Sequence, residues 1–105
     1  MMKLEGKTVL VTGGGSGIGL VVARRFVEEG AHVFITGRRE ALLAEAVTLT
    51  GGRIEAIGGD LTSTSDLARL FETLQTRAGR LDILVNASGV AEHARLFDTG
   101  LTPPR

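Results

Sequence analysis

The run Thr12-Gly13-Gly14-Gly15-Ser16-Gly17-Ile18-Gly19 lies directly behind the apolar segment Val9-Leu10-Val11. Gly13, Gly17 and Gly19 have the spacing of a phosphate-carrying turn, with Ser16 and Ile18 between them. A pyrophosphate must approach backbone N–H groups closely, and a Cβ at those positions would block it or forbid a positive φ. A glycine cluster alone is weak evidence. Placed at a strand-to-helix junction and followed by two more strand–helix repeats, it predicts a dinucleotide site.

The elements that must hold this turn are legible from periodicity. Residues 7–12 read as a strand buried on both faces, since Val9, Leu10 and Val11 are continuous. Residues 17–29 read as a helix with Ile18, Val22, Ala23, Phe26 and Val27 inward, closed by Gly30. On its outer face, Arg24 with Glu28 and Arg25 with Glu29 form i,i+4 pairs, each worth a few tenths of a kcal/mol. A second strand covers 31–36. A second helix, 39–49, buries Leu42, Leu43 and Ala46 and stops at Gly51-Gly52. Residues 53–58 form a third strand whose Arg53 and Glu55 suit a sheet edge. Ser63 with Asp66 has the form of a capping box. It opens a third helix with Leu67, Leu70, Phe71, Leu74 and Ala78 inward and Gly79 at its end. Residues 82–86 form a fourth, fully apolar-centred strand.

Four strands alternating with three helices predict right-handed crossovers and a parallel sheet. The expected fold class is α/β: a Rossmann-like three-layer domain, strand order 3-2-1-4, truncated after the fourth strand. Ile83-Leu84-Val85 reads as an interior strand, yet no fifth strand follows it.

Composition narrows the function classes. The chain has 105 residues and a formal net charge of zero, so nothing in its charge favours nucleic acid or an anionic membrane. It has no cysteine, which removes disulfides, thiolate chemistry and cysteine-held zinc. No metal site is expected. The N-terminal residues lack an apolar signal region and no run has transmembrane length, so a soluble cytoplasmic protein is expected. Its fifteen glycines cluster at turns and argue for tight connections.

Three motifs in order resemble the short-chain dehydrogenase/reductase family, to about Gly89. The first is Thr12-Gly13-x-x-x-Gly17-Ile18-Gly19. The second is Asp60-Leu61-Thr62, similar to an aspartate segment that holds the adenine ring in the family. The third is Asp82-Ile83-Leu84-Val85-Asn86-Ala87-Ser88-Gly89, similar to a segment ending Asn-Asn-Ala-Gly. There Ala87 and Ser88 replace Asn and Ala, while Asn86 and Gly89 are retained. The resemblance implies hydride transfer between a nicotinamide and an alcohol or carbonyl substrate. It also implies a Ser and a Tyr-x-x-x-Lys motif in a second half. This chain contains no tyrosine, so no catalytic residue is expected in it. The reaction needs an acid/base at the substrate oxygen.

Cofactor choice rests on the end of the second strand. An acidic residue gripping the adenosine ribose is expected about 20 residues beyond the glycines. Here Val33-Phe34-Ile35-Thr36 leads to Gly37 and then Arg38. Arg38 alone reads better as a solvated helix-start residue. Gly37 beside it removes a carboxylate that would repel a 2′-phosphate, and a guanidinium can pair with that phosphate bidentately. NADP(H) is therefore expected over NAD(H). Ser16 stands where many NADP-preferring relatives carry a basic residue and offers one hydrogen bond, which makes the preference modest.

Other polar residues read plainly. Asn86 supports a strand end, and Asp60 reads as a turn former or an adenine contact. Ser88 lacks the strained elbow and His–acid pair of a nucleophile. His32 and His93 read as incidental. The expected organisation is a dinucleotide-binding unit over 1–89 and a partly ordered tail over 90–105, where Gly100 and Pro103-Pro104 oppose a long helix.

Three readings stay open. The chain is the cofactor half of an oxidoreductase, inactive alone; or a stand-alone NADP(H)-binding module; or an interaction unit. The last would use the exposed fourth strand, for self-association or for a complementing fragment, and would lose association when Leu84 becomes Lys.

Overall fold

β1 (Thr8–Thr12) is buried along its whole length and forms the spine of the molecule. The computed structural model describes residues 3–15 and 17–87. β1 is followed by α1 (Gly17–Glu28), β2 (His32–Gly37), α2 (Glu40–Leu49), β3 (Ile54–Gly58), α3 (Thr64–Arg77) and β4 (Ile83–Asn86). The sheet order is β3-β2-β1-β4, and every pairing is parallel. The expected strand order and fold class are both found. Element ends differ from the sequence reading by one residue or so at several places.

Alternation along the strands sorts the core into two layers. Val9 and Val11 of β1, with Val33 and Ile35 of β2, face α1 and α2. They meet Ala23, Val27, Leu43 and Ala46 there. Leu10 and Phe34 point the other way and pack on Leu70 and Leu74 of α3. Burying a side chain such as Phe34 or Leu10 contributes about 1.5–3 kcal/mol. The described residues therefore form a helix pair, a sheet and a single helix.

The glycine stops work as read. After α1, Gly30 donates to the Val27 carbonyl at 3.0 Å and Ala31 to that of Phe26 at 3.1 Å, a Schellman ending. Only half of the capping box forms. Ser63 Oγ accepts from the Asp66 N–H at 3.3 Å, but the Asp66 carboxylate turns instead to the Asp60 N–H, at 2.8 Å. Aspartate is one methylene shorter than the usual glutamate, and the loop before α3 offers it a nearer donor. On α1, Arg25 rather than Arg24 reaches Glu28, at 3.7 Å, and also Glu29, at 3.2 Å.

Helix faces differ more from expectation. Ile18 and Phe71, both expected inward, are 56% and 49% exposed, and Leu67 is also exposed. Among the described residues β4 pairs only with β1, placing Leu84 beside Leu10. Leu84 is 59% exposed, so the strand written as interior lies at the edge of the described sheet. Arg80 and the Thr8 N–H both bond the Asp82 carboxylate at its entrance and hold its pKa below the ordinary value.

His32 is not incidental. Its Nε2 lies 2.5 Å from Glu55 Oε2 across the β2–β3 pair, and its ring centroid is 4.5 Å from that of Phe34. Arg77 of α3 bonds the other oxygen of Glu55. Burial pushes the Glu55 pKa up, but hydrogen bonds from His32 and Arg77, with their charges, outweigh it and leave the pKa lowered. A depressed carboxylate stabilises the fold above its unfolded pKa of about 4.3, and that contribution disappears as pH falls through the folded value. Glu55→Gln is expected to cost about 1 kcal/mol at neutral pH. In urea melts, the gap between variant and parent should close as pH falls below about 4. A gap that persists in acid would detach the effect from this ion cluster.

Candidate functional site

The turn between β1 and α1 opens where β1 ends. Gly13 donates its N–H to the Thr36 carbonyl at 2.8 Å, which ties the turn to the end of β2. Gly13 and Gly17 hold φ of 73° and 59°, a region costly to side chains with a Cβ. Gly19 does a different job. A Cβ there would lie 2.0 Å from the Gly13 carbonyl oxygen, so its bare backbone lets α1 lie against the turn. Gly14, a free position in the motif, is equally confined: its Cβ would lie 2.4 Å from Ile35 Cγ2. The sequence reading missed that constraint because it arises across the β1–β2 pairing.

Gly13 and Gly17, with Gly15, border an open cleft of about 380 Å³. Gly13, Gly15, Gly17 and Ile18 line it from the β1–α1 turn, and Gly37, Arg38 and Arg39 line it from the end of β2. Leu42, Leu43 and Ala87 complete the lining. The exposure of Ile18 thus has a reason, since it faces the cleft rather than the core. Arg39 is an addition to the residues expected from sequence. It flanks the start of α2 and makes no side-chain capping bond, and its signal was the doubled basic pair after Gly37. The first turn of α1 carries no acidic side chain among the described residues, so the helix N-terminus presents its partial positive charge to the cleft.

A second cleft, of about 360 Å³, adjoins the first and shares Arg38 with it. Glu40, Gly58, Gly59, Asp60, Asp66 and Arg69 complete its lining. Asp60 Oδ1 accepts from the Thr62 hydroxyl at 2.7 Å and from its N–H at 2.9 Å. Those bonds, hydroxyl first, lower the Asp60 pKa, and the charge of Arg38 adds to them.

Of the residues singled out from sequence, Gly13, Gly17, Ile18 and Arg38 therefore meet at one cleft, while Gly19 lies buried behind it. Asp60 stands at the adjoining cleft. Leu61 lines neither and packs partly buried against the α3 layer. Asn86 ends β4, where its Oδ1 accepts from the Thr12 hydroxyl at 2.8 Å, in keeping with a strand-end support. Ser16, Ser88, Gly89, His93 and the 90–105 tail lie outside the described residues. No cluster of three metal-ligating side chains occurs among the described residues.

The donor set suits a nucleotide. Gly13 and Gly17 leave backbone open to a pyrophosphate, and two guanidiniums and a helix N-terminus are of the right sign for anions. The family described as short chain dehydrogenase matches residues 7–100. An oxidoreductase of Sarocladium schorii, asL5, is 44% identical over 89 residues, 85% of this chain and 36% of that protein. Among solved structures, a short chain dehydrogenase from Bacillus anthracis matches with a TM-score of 0.75 at 39% identity, over 80% of this chain and 35% of that one. The 3-ketoacyl-(acyl-carrier-protein) reductase of Brucella melitensis, complexed with NADH, matches with a TM-score of 0.73 at 36% identity, over 77% and 33%. The chain spans little more than a third of the length of the curated relatives it matches. Match, sheet order and glycine turn agree: this chain belongs to the short-chain dehydrogenase family.

Proposed function

We propose that this chain is the NADP(H)-binding part of a short-chain oxidoreductase and is inactive by itself. One observation carries the cofactor choice: Arg38 and Arg39 rim the cleft beside Gly37, which presents no carboxylate. A 2′-phosphate placed there meets two guanidiniums and no carboxylate at position 37, while Glu40 and Asp60 lie in the adjoining cleft. The Brucella relative is complexed with NADH, so the preference proposed here belongs to this chain's own rim. In this reading Gly13, Ser16, Gly17, Ile18 and Gly19 form the phosphate turn. Arg38 takes the 2′-phosphate, Asp60 stands at the adenine with Leu61 anchoring its segment in the α3 layer, and Asn86 and Gly89 carry the turn after β4.

When bound, the nicotinamide supplies or accepts hydride. The chain's own residues bind and orient it, and with no tyrosine in the sequence the proton at the substrate oxygen has no donor of the expected kind. The unit is taken to extend over 1–89, with 90–105 as its tail. Cytoplasmic location goes with this reading, since the dinucleotide pool it draws on lies inside cells.

A second reading draws on β4. Leu84 is exposed beside Leu10, and an edge of this kind pairs readily with further polypeptide, such as a second copy or a complementing segment.

Melting the chain with NADP⁺ and with NAD⁺ tests both readings. Saturation to about 100 times Kd adds about 2.7 kcal/mol when only the folded form binds. The expected result is a cooperative melt raised more by NADP⁺ than by NAD⁺. Equal shifts would sink the cofactor choice. Association in sedimentation runs that ignores nucleotide, without any shift in the melt, would favour pairing through β4.

A further inference from the structure

Between β3 and α3 the backbone is held by two side chains that the glycine motif does not involve. Asp66 Oδ2 accepts the Asp60 N–H at 2.8 Å. Arg69 Nη2 donates to the Gly58 carbonyl at 2.7 Å. The two side chains pair with each other at 3.5 Å. Gly59 sits beneath them: a Cβ there would lie 3.1 Å from Arg69 Nη2 and 3.5 Å from Asp66 Cβ. Gly59 in turn donates its N–H to the Gly37 carbonyl at 2.9 Å. A continuous set of bonds therefore runs from the first turns of α3, through the segment 58–60, to the residue that precedes Arg38.

We propose that Asp66 and Arg69 are positioning residues for the adenosine end of the nucleotide. They fix the 58–60 segment, and through Gly37 the rim at Arg38, in the shape that closes the second cleft. The proposal rests on the dinucleotide reading above and extends it to two residues on α3. Their charges largely satisfy each other and the backbone, so they act by holding the segment. A segment that must be ordered on binding subtracts its ordering cost from affinity, and one already ordered does not. The effect is confined to ligands that occupy the adenosine end.

The test measures dissociation constants of adenosine 2′,5′-bisphosphate and NADP⁺ for the parent chain, Arg69→Met, Arg69→Lys and Gly59→Ala, with a urea melt of each. Removing a charge-assisted bond of this kind is expected to weaken both ligands about tenfold in Arg69→Met. Arg69→Lys should recover part of that loss, because an ammonium can still donate to the Gly58 carbonyl. Gly59→Ala keeps the arginine charge but pushes its end by a few tenths of an ångström, and should weaken both ligands by less. Parent-like binding in Arg69→Met and Gly59→Ala would overturn the proposal. So would a loss in Arg69→Met that Gly59→Ala does not share, which would mean direct contact between the arginine and the ligand. A loss in either variant that merely tracks a lowered urea midpoint would also overturn it. A parent chain that binds neither ligand would overturn the dinucleotide reading itself, and this proposal with it.

Discussion

Replacing Gly19 with alanine is expected to cost about 3 kcal/mol or more and to abolish nucleotide binding. The added Cβ would sit 2.0 Å from the Gly13 carbonyl oxygen, 2.7 Å from its carbon and 3.0 Å from Gly14 Cα. All three are backbone atoms, so no side chain can swing aside. Either α1 retreats from β1, giving up the packing of Ala23 and Val27 against Val9 and Val11, or the turn opens and its N–H groups lose their alignment. Domain stability is only about 5–15 kcal/mol, so a loss of this size is a large fraction of it. Gly17→Ala is the control. Its Cβ would meet nothing within 4 Å, but its φ is 59°, a conformation that costs about 1–2 kcal/mol for an alanine. Urea midpoints for the two variants, read with and without NADP⁺, measure the difference. Equal midpoints would show that close approach is not what demands Gly19.

Gly37→Asp is expected to reverse the proposed cofactor preference with the fold intact. The Cβ it adds would meet only Leu43 Cδ2, at 3.8 Å, an ordinary contact. Gly37 is also absent from the chain's positive-φ glycines, so neither space nor backbone opposes the change. The new carboxylate would stand beside Arg38 on the cleft rim, where it repels a 2′-phosphate and accepts bonds from ribose hydroxyls. Losing a charge-assisted pair costs about 1.5–3 kcal/mol, or roughly tenfold to a hundredfold in NADP⁺ affinity, while NAD⁺ affinity should hold or rise. Arg38→Ala should reproduce the NADP⁺ loss without the NAD⁺ gain. Titrations in which both ligands weaken equally would remove the 2′-phosphate from this rim.

The sheet order was legible because its evidence is local and repeated. Each strand is a short apolar run bounded by turn residues, and parallel crossovers leave few ways to order four of them. The glycine turn was legible for the same reason, as was the pairing of Gly37 with Arg38. Helix faces were legible only in part. Period 3.6 puts Ile18, Leu67 and Phe71 on apolar stripes, but period does not say what covers a stripe. Ile18 borders the cleft, and Leu67 and Phe71 flank Leu70 and Leu74 without sharing their burial. His32 was misread because its partners are remote. Glu55 lies 23 positions away and meets Arg77 22 positions further on, so the cluster depends on strand register and on where α3 docks. Gly14 is constrained by Ile35 and Arg69 grips Gly58, again through contacts that only the assembled sheet creates.

The first cleft draws nine of its ten lining residues from Gly13 through Leu43, with Ala87 the exception. That stretch is one β1–α1–β2 crossover plus the start of α2, so its loops are short and closing them costs little entropy. Contacts of low sequence separation form early, and a chain made from its N-terminus folds in that order. Most of the cleft can therefore be built during synthesis before β3 and β4 have emerged. A nucleotide bound at that stage would add its free energy to a half-made sheet, and the ligand would then take part in the folding of its own site.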